Sequence, residues 1–245
     1  MSRRRFFILK DQIRDGAAVL GPEQAHHLRD VLRLGAGDEV EVFDGDGHAY
    51  SGRIEFVGKE IHIASLVQLH SAAQPGTSFV LAAALIKLDR FEWMLQKGTE
   101  LGVDRFLPLE TRFCSVRIPA SRLEARLERW RRILMEASRQ SRRLTVPKIM
   151  PPFAFYALLA STEHAEYARF MLHERASERL NARDLTSKNI LLCVGPEGGW
   201  DEAETRKAEE SGFRVVSIGP RILRTETAAL AASAIFQFLL DNKLG

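Results

Sequence analysis

The fold class is decided by residues 190–199, which read Ile-Leu-Leu-Cys-Val-Gly-Pro-Glu-Gly-Gly. The first five residues form a continuous apolar run, which is typical of a strand buried on both faces of a sheet. The glycines that follow allow the backbone of a loop to approach a ligand closely. A buried strand that ends in such a loop predicts an α/β domain whose ligands bind outside the carboxyl ends of its strands.

The same strand-and-loop pattern recurs on both sides of this stretch. A strand that ends at Leu172 leads to His173 and Glu174, and a later strand leads to a second Gly-Pro loop at residues 219–224. Alternation of strands with helices indicates a mainly parallel sheet covered on both faces. The predicted elements are strands over 79–85, 106–109, 170–172, 190–194 and 213–218, and helices over 90–101, 121–141, 153–161 and 225–241.

The N-terminal part of the chain has a different, β-rich pattern. Residues 39–43 alternate polar and apolar side chains, as a half-buried strand does, and Asp-Gly turns follow them. Further strands are predicted over 48–57 and 60–66, with one short helix over 23–32. Short strands with a single helix predict a compact β-barrel. We therefore expect a barrel domain at residues 1–70 and an α/β domain at residues 76–245.

The charge of the chain is unevenly distributed. The net charge is +3, yet residues 112–148 hold eleven basic and three acidic side chains, so the remainder is net negative. A patch of one sign indicates a polyanionic partner such as a nucleic acid, although a solvated helix face gives the same pattern. The two cysteines are isolated, no metal-ligand cluster is present, and no secretion signal or apolar run of about 20 residues is seen. These features predict a cytoplasmic protein without a metal.

The Gly-rich loop at residues 195–199 suits a ligand without phosphates. It has neither the GxGxxG spacing of dinucleotide-binding enzymes nor the Gly-Lys-Ser/Thr of a P-loop, which disfavours a nucleotide-dependent dehydrogenase. Glu197 lies in its middle and would repel a polyphosphate. S-adenosylmethionine carries a sulfonium and no phosphate, so it fits this loop. A plain Gly-rich turn is the alternative, and the second Gly-Pro loop argues against it.

Two motifs of the chain are similar to a motif pair of a known family. They are residues 195–199 and residues 218–228, which read Ile-Gly-Pro-Arg-Ile-Leu-Arg-Thr-Glu-Thr-Ala. The chain thereby resembles the RsmE family of SPOUT-class methyltransferases, which methylate N3 of a uridine in 16S ribosomal RNA. The similarity covers essentially the whole chain. Residues 87–90, 96–103 and 130–147 resemble the catalytic domain, and residues 26–33 and 43–45 resemble the PUA-like barrel.

This resemblance implies an architecture and a cofactor site. The fold class is α/β, with an N-terminal PUA-like β-barrel followed by a SPOUT α/β domain that has a C-terminal trefoil knot. The family forms homodimers, and the apolar residues of the last helix fit either such an interface or ordinary core packing. The resemblance assigns S-adenosylmethionine binding to Leu172, His173, Glu174, Val194, Gly195, Gly198, Ile218, Gly219, Leu223, Arg224, Thr227 and Ala228.

Methylation at N3 of uridine sets a specific chemical demand, because N3 carries a proton at neutral pH. A base must take this proton, and an arginine fork can stabilise the charge that spreads onto the flanking carbonyls. We expect Arg224, or Arg143 contributed by a partner subunit, as the fork. Glu197 or Glu226 is either the base or a residue that fixes the loops.

The RNA partner is expected to contact arginines at the N-terminus and in the basic segment. Phosphate contacts of this kind supply affinity and do not select the base. A sister SPOUT enzyme that acts on transfer RNA, and an RNA-binding module without activity, remain as alternatives. The candidate RNA-binding residues are Arg3, Arg4, Arg5, Arg112, Arg122, Arg126 and Arg129.

Overall fold

The computed structural model describes residues 4–71, 77–181 and 187–244, and the chain divides into two compact units. The first unit comprises Met1–Pro75 together with Ser138–Val146, and the second comprises Gly76–Ala137 and Pro147–Gly245. The predicted domains, 1–70 and 76–245, differ from these units in the segment Ser138–Val146. Backbone pairing of Gly45 with Thr145, and a hydrogen bond from the Val146 N–H to the Gly45 carbonyl (2.9 Å), explain why this segment belongs to the first unit.

The first unit is built around a six-stranded sheet. Its strands lie in the order β1-β4-β5-β6-β3-β2, and all neighbours are antiparallel except β1 and β4. The predicted meander of β4 to β6 is confirmed. The elements are β1 (Arg4–Phe7), a 3₁₀ turn (Lys10–Gln12), β2 (Ile13–Arg14), β3 (Ala17–Val19), α1 (Pro22–His26) with a π-helical turn (His27–Val31), β4 (Glu39–Phe43), β5 (His48–Val57) and β6 (Glu60–Ser71).

One apolar core stabilises this sheet. Val40 and Val42, the apolar positions of the alternating stretch, are fully buried, and Leu28 from the helical turn packs with them. Burying a side chain of this size contributes about 1.5–3 kcal/mol relative to leaving it exposed. The alternation in the sequence therefore identified the face of β4 that the core covers.

The second unit contains a seven-stranded sheet, and every pairing in it is parallel, which agrees with the predicted mainly parallel sheet. The order is β10-β8-β7-β12-β11-β13, and β9 pairs with β8. The elements are β7 (Ser78–Ala84), α2 (Leu88–Glu100), β8 (Arg105–Glu110), α3 (Ala120–Gln140, whose last turn enters the first unit), β9 (Lys148–Ile149), β10 (Phe153–Ala154), α4 (Phe155–Ala160), β11 (Ala168–Leu172), β12 (Asn189–Val194), α5 (Glu202–Glu210), β13 (Arg214–Val216) and α6 (Thr225–Leu244).

Helices supply the aromatic residues that cover this sheet. Phe236 of α6 packs its ring 5.9 Å from that of Phe79 and 5.0 Å from that of Phe170, which joins α6 to β7 and β11. Phe91 of α2 lies 5.0 Å from Trp130 of α3, measured between ring centroids. Leu127, Trp130, Leu134 and Ala137 recur along α3 at three- and four-residue spacing, and all four are buried in the core.

The helix α5 was not predicted from hydrophobic periodicity, because it carries few apolar residues. It begins instead at a capping box. The Asp201 carboxylate accepts a hydrogen bond from the Ala203 N–H (2.9 Å), and the Glu204 carboxylate accepts one from the Asp201 N–H (3.1 Å). These bonds satisfy backbone donors that the first helical turn leaves unpaired.

The strand order determines where the loops meet. β11 lies between β12 and β13 in the sheet, and all three strands run in the same direction. Their carboxyl ends therefore lie side by side, and the loops that follow them converge at one edge of the sheet. This is the edge at which open α/β sheets bind their ligands.

Candidate functional site

A pocket of about 530 Å³, partly open to solvent, lies at the carboxyl ends of these three strands. We call it the strand-end pocket. Its lining residues come from the loops after β11, β12 and β13 and from the first turn of α6. They are Leu172, His173, Glu174, Val194, Gly195, Pro196, Gly199, Trp200, Val216, Ser217, Ile218, Gly219, Arg221, Leu223, Thr225 and Ala228.

Trp200 fixes one wall of the strand-end pocket. Its indole N–H donates to the Leu172 carbonyl (2.8 Å), which joins the loop after β12 to the end of β11. A Cβ atom at position 195 would lie 2.8 Å from the indole nitrogen, so only glycine fits there. Gly199 has φ +75° and closes a turn by donating to the Pro196 carbonyl (2.9 Å). The glycines thus shape the loop by close approach and by a left-handed turn.

Backbone hydrogen bonds hold the other two loops. The His173 N–H donates to the Val216 carbonyl (3.0 Å), which ties the loop after β11 to β13. The Nδ1 atom of His173 accepts a hydrogen bond from the Arg175 N–H (3.0 Å). Nδ1 therefore carries no proton in this arrangement, and the neutral imidazole has its proton on Nε2. The Ser217 N–H donates to the Glu178 carbonyl (2.8 Å), so the loops after β11 and β13 support each other.

The strand-end pocket brings together nine of the twelve residues that the sequence assigned to cofactor binding. Gly198, Arg224 and Thr227 do not line it. Gly198 packs on Phe113, whose Cβ would lie 2.9 Å from a Cβ at position 198. The nine lining residues are Leu172, His173, Glu174, Val194, Gly195, Ile218, Gly219, Leu223 and Ala228.

Sequence reasoning missed seven residues of this lining. The sequence could have identified Trp200, because this residue directly follows the Gly-rich loop at the end of a buried strand. The sequence could also have identified Thr225, because it lies three positions before Ala228, and this spacing places both residues on one face of a helix. Pro196, Gly199, Val216, Ser217 and Arg221 complete the missed set.

A second pocket lies between the first turn of α2 and the first turn of α6. We call it the α2–α6 pocket. Arg90 organises it, because its guanidinium pairs with the Glu197 carboxylate and lies 3.9 Å from Oε1 of Glu226. Glu226 is 7% exposed, and its Oε2 atom is buried without a hydrogen-bond partner among the described residues. The lining residues are Asp89, Arg90, Trp93, Arg224, Glu226 and Thr227.

The four candidate catalytic residues are therefore placed differently. Arg224 and Glu226 line the α2–α6 pocket, and Arg224 is exposed without an ion-pair partner among the described residues. Glu197 is held by Arg90 at the outer end of its loop. Arg143 belongs to the first unit, where its carbonyl accepts a hydrogen bond from the Arg5 guanidinium (2.9 Å).

The candidate RNA-binding arginines differ in their exposure and in their ion-pair partners. Arg4 and Arg122 are exposed, whereas Arg3 lies outside the described residues. Arg112 is exposed and also pairs with Asp201 (3.2 Å). Arg126 and Arg129 on α3 both donate to the Glu92 carboxylate of α2, at 2.7 and 2.8 Å.

Arg5 corrects the prediction of its role. Arg5 is only 6% exposed. Its guanidinium pairs with Glu41 (2.8 Å) and lies 4.0 Å from the centroid of the Phe43 ring. Burial lowers its pKa, and the Glu41 carboxylate counteracts this. A guanidinium committed to these internal contacts is not presented to RNA, so Arg5 has a packing role.

The ion-pair cluster of Glu92 links α2 to α3. Burial raises the pKa of the Glu92 carboxyl, but hydrogen bonds from Arg129 and Arg126 more than offset this, so the pKa lies below its ordinary value. The cluster also neutralises part of the charge of the two arginines. Of the three predicted RNA-binding arginines on α3, Arg122 is therefore the one whose charge Glu92 does not balance.

Three further observations bear on the class of protein. No helix of the described residues has the length and apolar character needed to cross a membrane. Over the same described ranges, no group of three His, Cys, Asp or Glu side chains is arranged to hold a metal ion. Cys193 is fully buried in the sheet, which raises the pKa of its thiol and keeps it unreactive.

The strand-end pocket is chemically suited to S-adenosylmethionine. Its charged lining consists of one carboxylate, Glu174, and one guanidinium, Arg221, beside the neutral imidazole of His173. A polyphosphate site would instead present a cluster of cations or backbone N–H groups. Mixed charge with an apolar wall fits a ligand that combines a sulfonium, an amino acid and an adenosine.

Two family models match separate stretches of the chain. Residues 74–237 match the family model described as an RNA methyltransferase domain, and residues 20–64 match the RNA methyltransferase PUA domain. The chain is 31% identical to the ribosomal RNA small subunit methyltransferase E of Bacillus subtilis, with 95% of each chain covered. It is 32% identical to the protein of that name from Synechocystis, covering 97% of this chain and 78% of that protein.

Solved structures agree with this result. The ribosomal RNA small subunit methyltransferase E of Neisseria gonorrhoeae, bound to S-adenosylmethionine, superimposes with a TM-score of 0.84 at 32% identity, over 97% of this chain and 98% of that one. A putative methyltransferase of Legionella pneumophila, also in complex with S-adenosylmethionine, gives 0.85 at 31% identity, over 97% and 98%. The chain therefore belongs to the RsmE family of RNA methyltransferases, with a PUA-like N-terminal domain followed by an α/β methyltransferase domain.

Proposed function

We propose that this chain transfers a methyl group from S-adenosylmethionine to N3 of a specific uridine in the 16S RNA of the small ribosomal subunit. The observation that carries the proposal is the strand-end pocket, which gathers nine of the twelve expected cofactor residues at one edge of a parallel sheet. The named relatives act on small-subunit ribosomal RNA, and two similar structures hold the same cofactor.

The strand-end pocket would hold S-adenosylmethionine through backbone groups at the strand ends and through the Trp200 wall. When bound, the cofactor supplies an electrophilic methyl group. The task of the protein is then to orient two reactants, and such positioning can supply a large part of the rate enhancement. The backbone of Leu172, Gly195 and Gly219 lines the pocket and would approach the cofactor, and Glu174 would provide a carboxylate for a cationic group.

Two side chains of the α2–α6 pocket meet the demands of the acceptor. Glu226 has a buried oxygen without a partner, which suits a group that accepts the N3 proton. The Arg224 guanidinium is exposed and unpaired among the described residues, so it is available to the carbonyl oxygens beside N3. Glu197 pairs with Arg90, which supports a role in fixing the loop.

The active form is proposed to be a homodimer, to which Arg143 of the partner subunit would contribute. Exposure along α6 supports this, because Phe238 is 67% exposed and Ile235 is 38% exposed, and the exposed Ala234 lies one helical turn before Phe238. Apolar side chains on one helix face favour a protein interface. The position of β13 beyond β11 in the sheet is compatible with the trefoil knot that we propose for the C-terminal part.

The RNA partner is proposed to bind through the exposed arginines and the N-terminal domain. Arg4, Arg112 and Arg122 have accessible guanidinium groups, whereas Arg126 and Arg129 share Glu92. Phosphate contacts of this kind make binding dependent on salt. Since the substrate belongs to the ribosome, the cytoplasm is the proposed location.

Labelled S-adenosylmethionine distinguishes this function from its alternatives. The protein is incubated with small ribosomal subunits, with RNA extracted from them, and with transfer RNA. We expect label in ribosomal RNA and none in transfer RNA. Label confined to transfer RNA would favour the sister enzyme class. An absence of cofactor binding by calorimetry would favour an RNA-binding module without activity.

A further inference from the structure

We propose that the α2–α6 pocket is the acceptor-base subsite, in which the Trp93 indole stacks on the target uracil and Oε2 of Glu226 accepts its N3–H. This inference rests on the proposed function and deepens it, because it names where the base binds and which side chain holds it. Trp93 is a residue that neither the sequence motifs nor the cofactor pocket accounts for.

The unpartnered oxygen of Glu226 is the first argument. A carboxylate oxygen that is removed from water without gaining a hydrogen-bond partner carries a free-energy cost. Oε2 is buried and has no partner among the described residues, while Oε1 lies 3.9 Å from Nε of Arg90. A ligand that donates a hydrogen bond in the α2–α6 pocket would remove this cost. The imide N3–H of uracil is such a donor.

The exposure of Trp93 is the second argument. It is 47% exposed, although tryptophan usually buries most of its large apolar surface. Trp93 lies four positions after Asp89 and three after Arg90, so the three side chains share one face of α2. An aromatic face beside polar groups is the arrangement with which proteins bind unpaired bases.

The first turn of α6 is the third argument, because it faces both pockets. Leu223, Thr225 and Ala228 line the strand-end pocket, whereas Arg224, Glu226 and Thr227 line the α2–α6 pocket. The two pockets therefore border one segment of six residues. Methyl transfer requires the methyl carbon and N3 to approach to about 3–3.5 Å with no chain between them, so the proposal places both at the edge of this segment that faces both pockets.

The charge of the α2–α6 pocket favours a base over a phosphate. Asp89 and Glu226 balance Arg90 and Arg224, so the charged lining sums to zero. A phosphate would meet two carboxylates, whereas uracil is neutral and presents both a donor and two acceptors. Arg224 can donate to a uracil carbonyl while Glu226 accepts from N3.

The chemistry of the step is balanced with these groups. The N3–H bond breaks and its proton passes to the Glu226 carboxylate, which leaves the bonding electron pair on the uracil ring. N3 then forms a bond to the methyl carbon, whose bond to sulfur breaks with its electron pair remaining on sulfur. A neutral thioether leaves, and Glu226 returns its proton to water.

The variant Trp93→Ala tests this subsite, with Trp93→Phe as the conservative change. Tyr156→Ala is the matched control, because Tyr156 is a 50% exposed aromatic residue of α4 that lines neither pocket. Stacking is worth about 1–3 kcal/mol per base, which corresponds to about 5- to 150-fold. We expect kcat/KM for small-subunit RNA to fall within this range in Trp93→Ala, to recover largely in Trp93→Phe, and to stay unchanged in Tyr156→Ala.

Two further readouts separate stacking from a structural role. The dissociation constant of S-adenosylmethionine and the molecular mass in solution should be the same in Trp93→Ala as in the unchanged protein. An unchanged kcat/KM would overturn the subsite. So would a loss accompanied by weaker cofactor binding or by a change of mass, because Trp93 would then support the fold or an interface between subunits.

A binding measurement keeps this inference distinct from the proposed function. Tryptophan fluorescence is titrated with a uridine-centred RNA hexamer and compared between the unchanged protein and Trp93→Phe. Quenching that disappears in Trp93→Phe supports the subsite even if no RNA is methylated, in which case only the proposed function fails. Equal quenching in both proteins overturns the subsite while leaving methylation untouched.

Discussion

At the scale of single residues, the wall of the strand-end pocket depends on close packing between Trp200 and Gly195. The Trp200 indole lies against the Cα of Gly195 and donates to the Leu172 carbonyl (2.8 Å). One side chain thus joins the ends of two adjacent strands. A small displacement of this indole would alter the pocket wall on both sides.

Gly195→Ala tests this contact. The added methyl group would lie 2.8 Å from the Trp200 nitrogen, so the indole must move or the loop must shift. Overpacking of this kind costs about 1–3 kcal/mol. We expect weaker binding of S-adenosylmethionine by calorimetry, by about tenfold or more. Gly35→Ala is the control, since the nearest atom to a Cβ at that position is the Asp38 carboxylate oxygen at 4.0 Å, an ordinary contact distance. Equal effects at the two positions would contradict the account.

Arg224→Ala separates binding from catalysis. Arg224 lines the α2–α6 pocket and not the strand-end pocket, so its loss should leave cofactor affinity unchanged. Removing a donor aimed at developing charge costs about 10²–10³-fold in turnover, and we expect a fall of that size in single-turnover assays. Arg206→Ala, an exposed arginine of α5, is the control. If both affinity and turnover of Arg224→Ala are unchanged, the assignment of Arg224 is wrong.

At the scale of secondary-structure elements, ion pairs hold the helices that border the second pocket. Arg90 in the first turn of α2 pairs with Glu197 in the loop after β12. Glu92, two positions further along α2, binds two arginines of α3. The start of α2 is thus fixed to the Gly-rich loop and to α3. These ion pairs fix the first turns of α2, which carry Trp93 and lie beside Glu226.

Glu92→Gln tests the pair between α2 and α3 through its pH dependence. The pKa of Glu92 is lower in the folded protein than its ordinary value of about 4.3. Its stabilising contribution is therefore complete above that value and is lost as the pH falls through the folded-state pKa. We expect Glu92→Gln to lose about 1–2 kcal/mol of unfolding free energy at pH 7, and the difference from the unchanged protein to shrink below about pH 4.

A surface pair provides the comparison for this measurement. Glu124 and Arg131 on α3 form an exposed ion pair at 2.8 Å, and such pairs contribute about 0–1 kcal/mol. Chemical denaturation of Glu124→Gln at pH 7 and pH 3.5 should show little change at either pH. A Glu92→Gln difference that persists undiminished at low pH would show that packing, and not the charge, is responsible.

The elements with strong hydrophobic patterns were predictable from the sequence, and those fixed by other interactions were not. The buried runs at β7 and β12 and the stripe of α3 were found because burial repeats at a regular spacing. The helix α5 was missed because its start depends on the Asp201 capping box and not on an apolar face. The two-residue strands β9 and β10 are too short to have a pattern of their own.

At the scale of the whole molecule, the sequence predicted two domains but not their full composition. Residues 138–146 belong to the first unit although they follow a helix of the second, because Thr145 and Val146 pair with Gly45. Such long-range pairing has no local signal in the chain. The cofactor residues were predicted because a family motif carried them, whereas Trp93 lies outside that motif and required the structure.

Phe238→Glu tests the proposed homodimer. Phe238 is 67% exposed on α6, and a carboxylate at its position would oppose an apolar interface between two copies. We expect sedimentation equilibrium to give the mass of a dimer for the unchanged protein and a shift toward the monomer for Phe238→Glu. Val67→Glu, on the 62% exposed Val67 of β6, should remain dimeric. A monomeric unchanged protein would contradict the proposal.

The most direct measurement of the central claim is the nucleoside content of ribosomal RNA in cells that lack this gene. The account predicts that N3-methyluridine is missing from one position of 16S RNA, and that mass spectrometry finds it restored by the unchanged gene but not by Glu226→Gln or Arg224→Ala. A deletion strain whose 16S RNA keeps all of its N3-methyluridine would contradict the account.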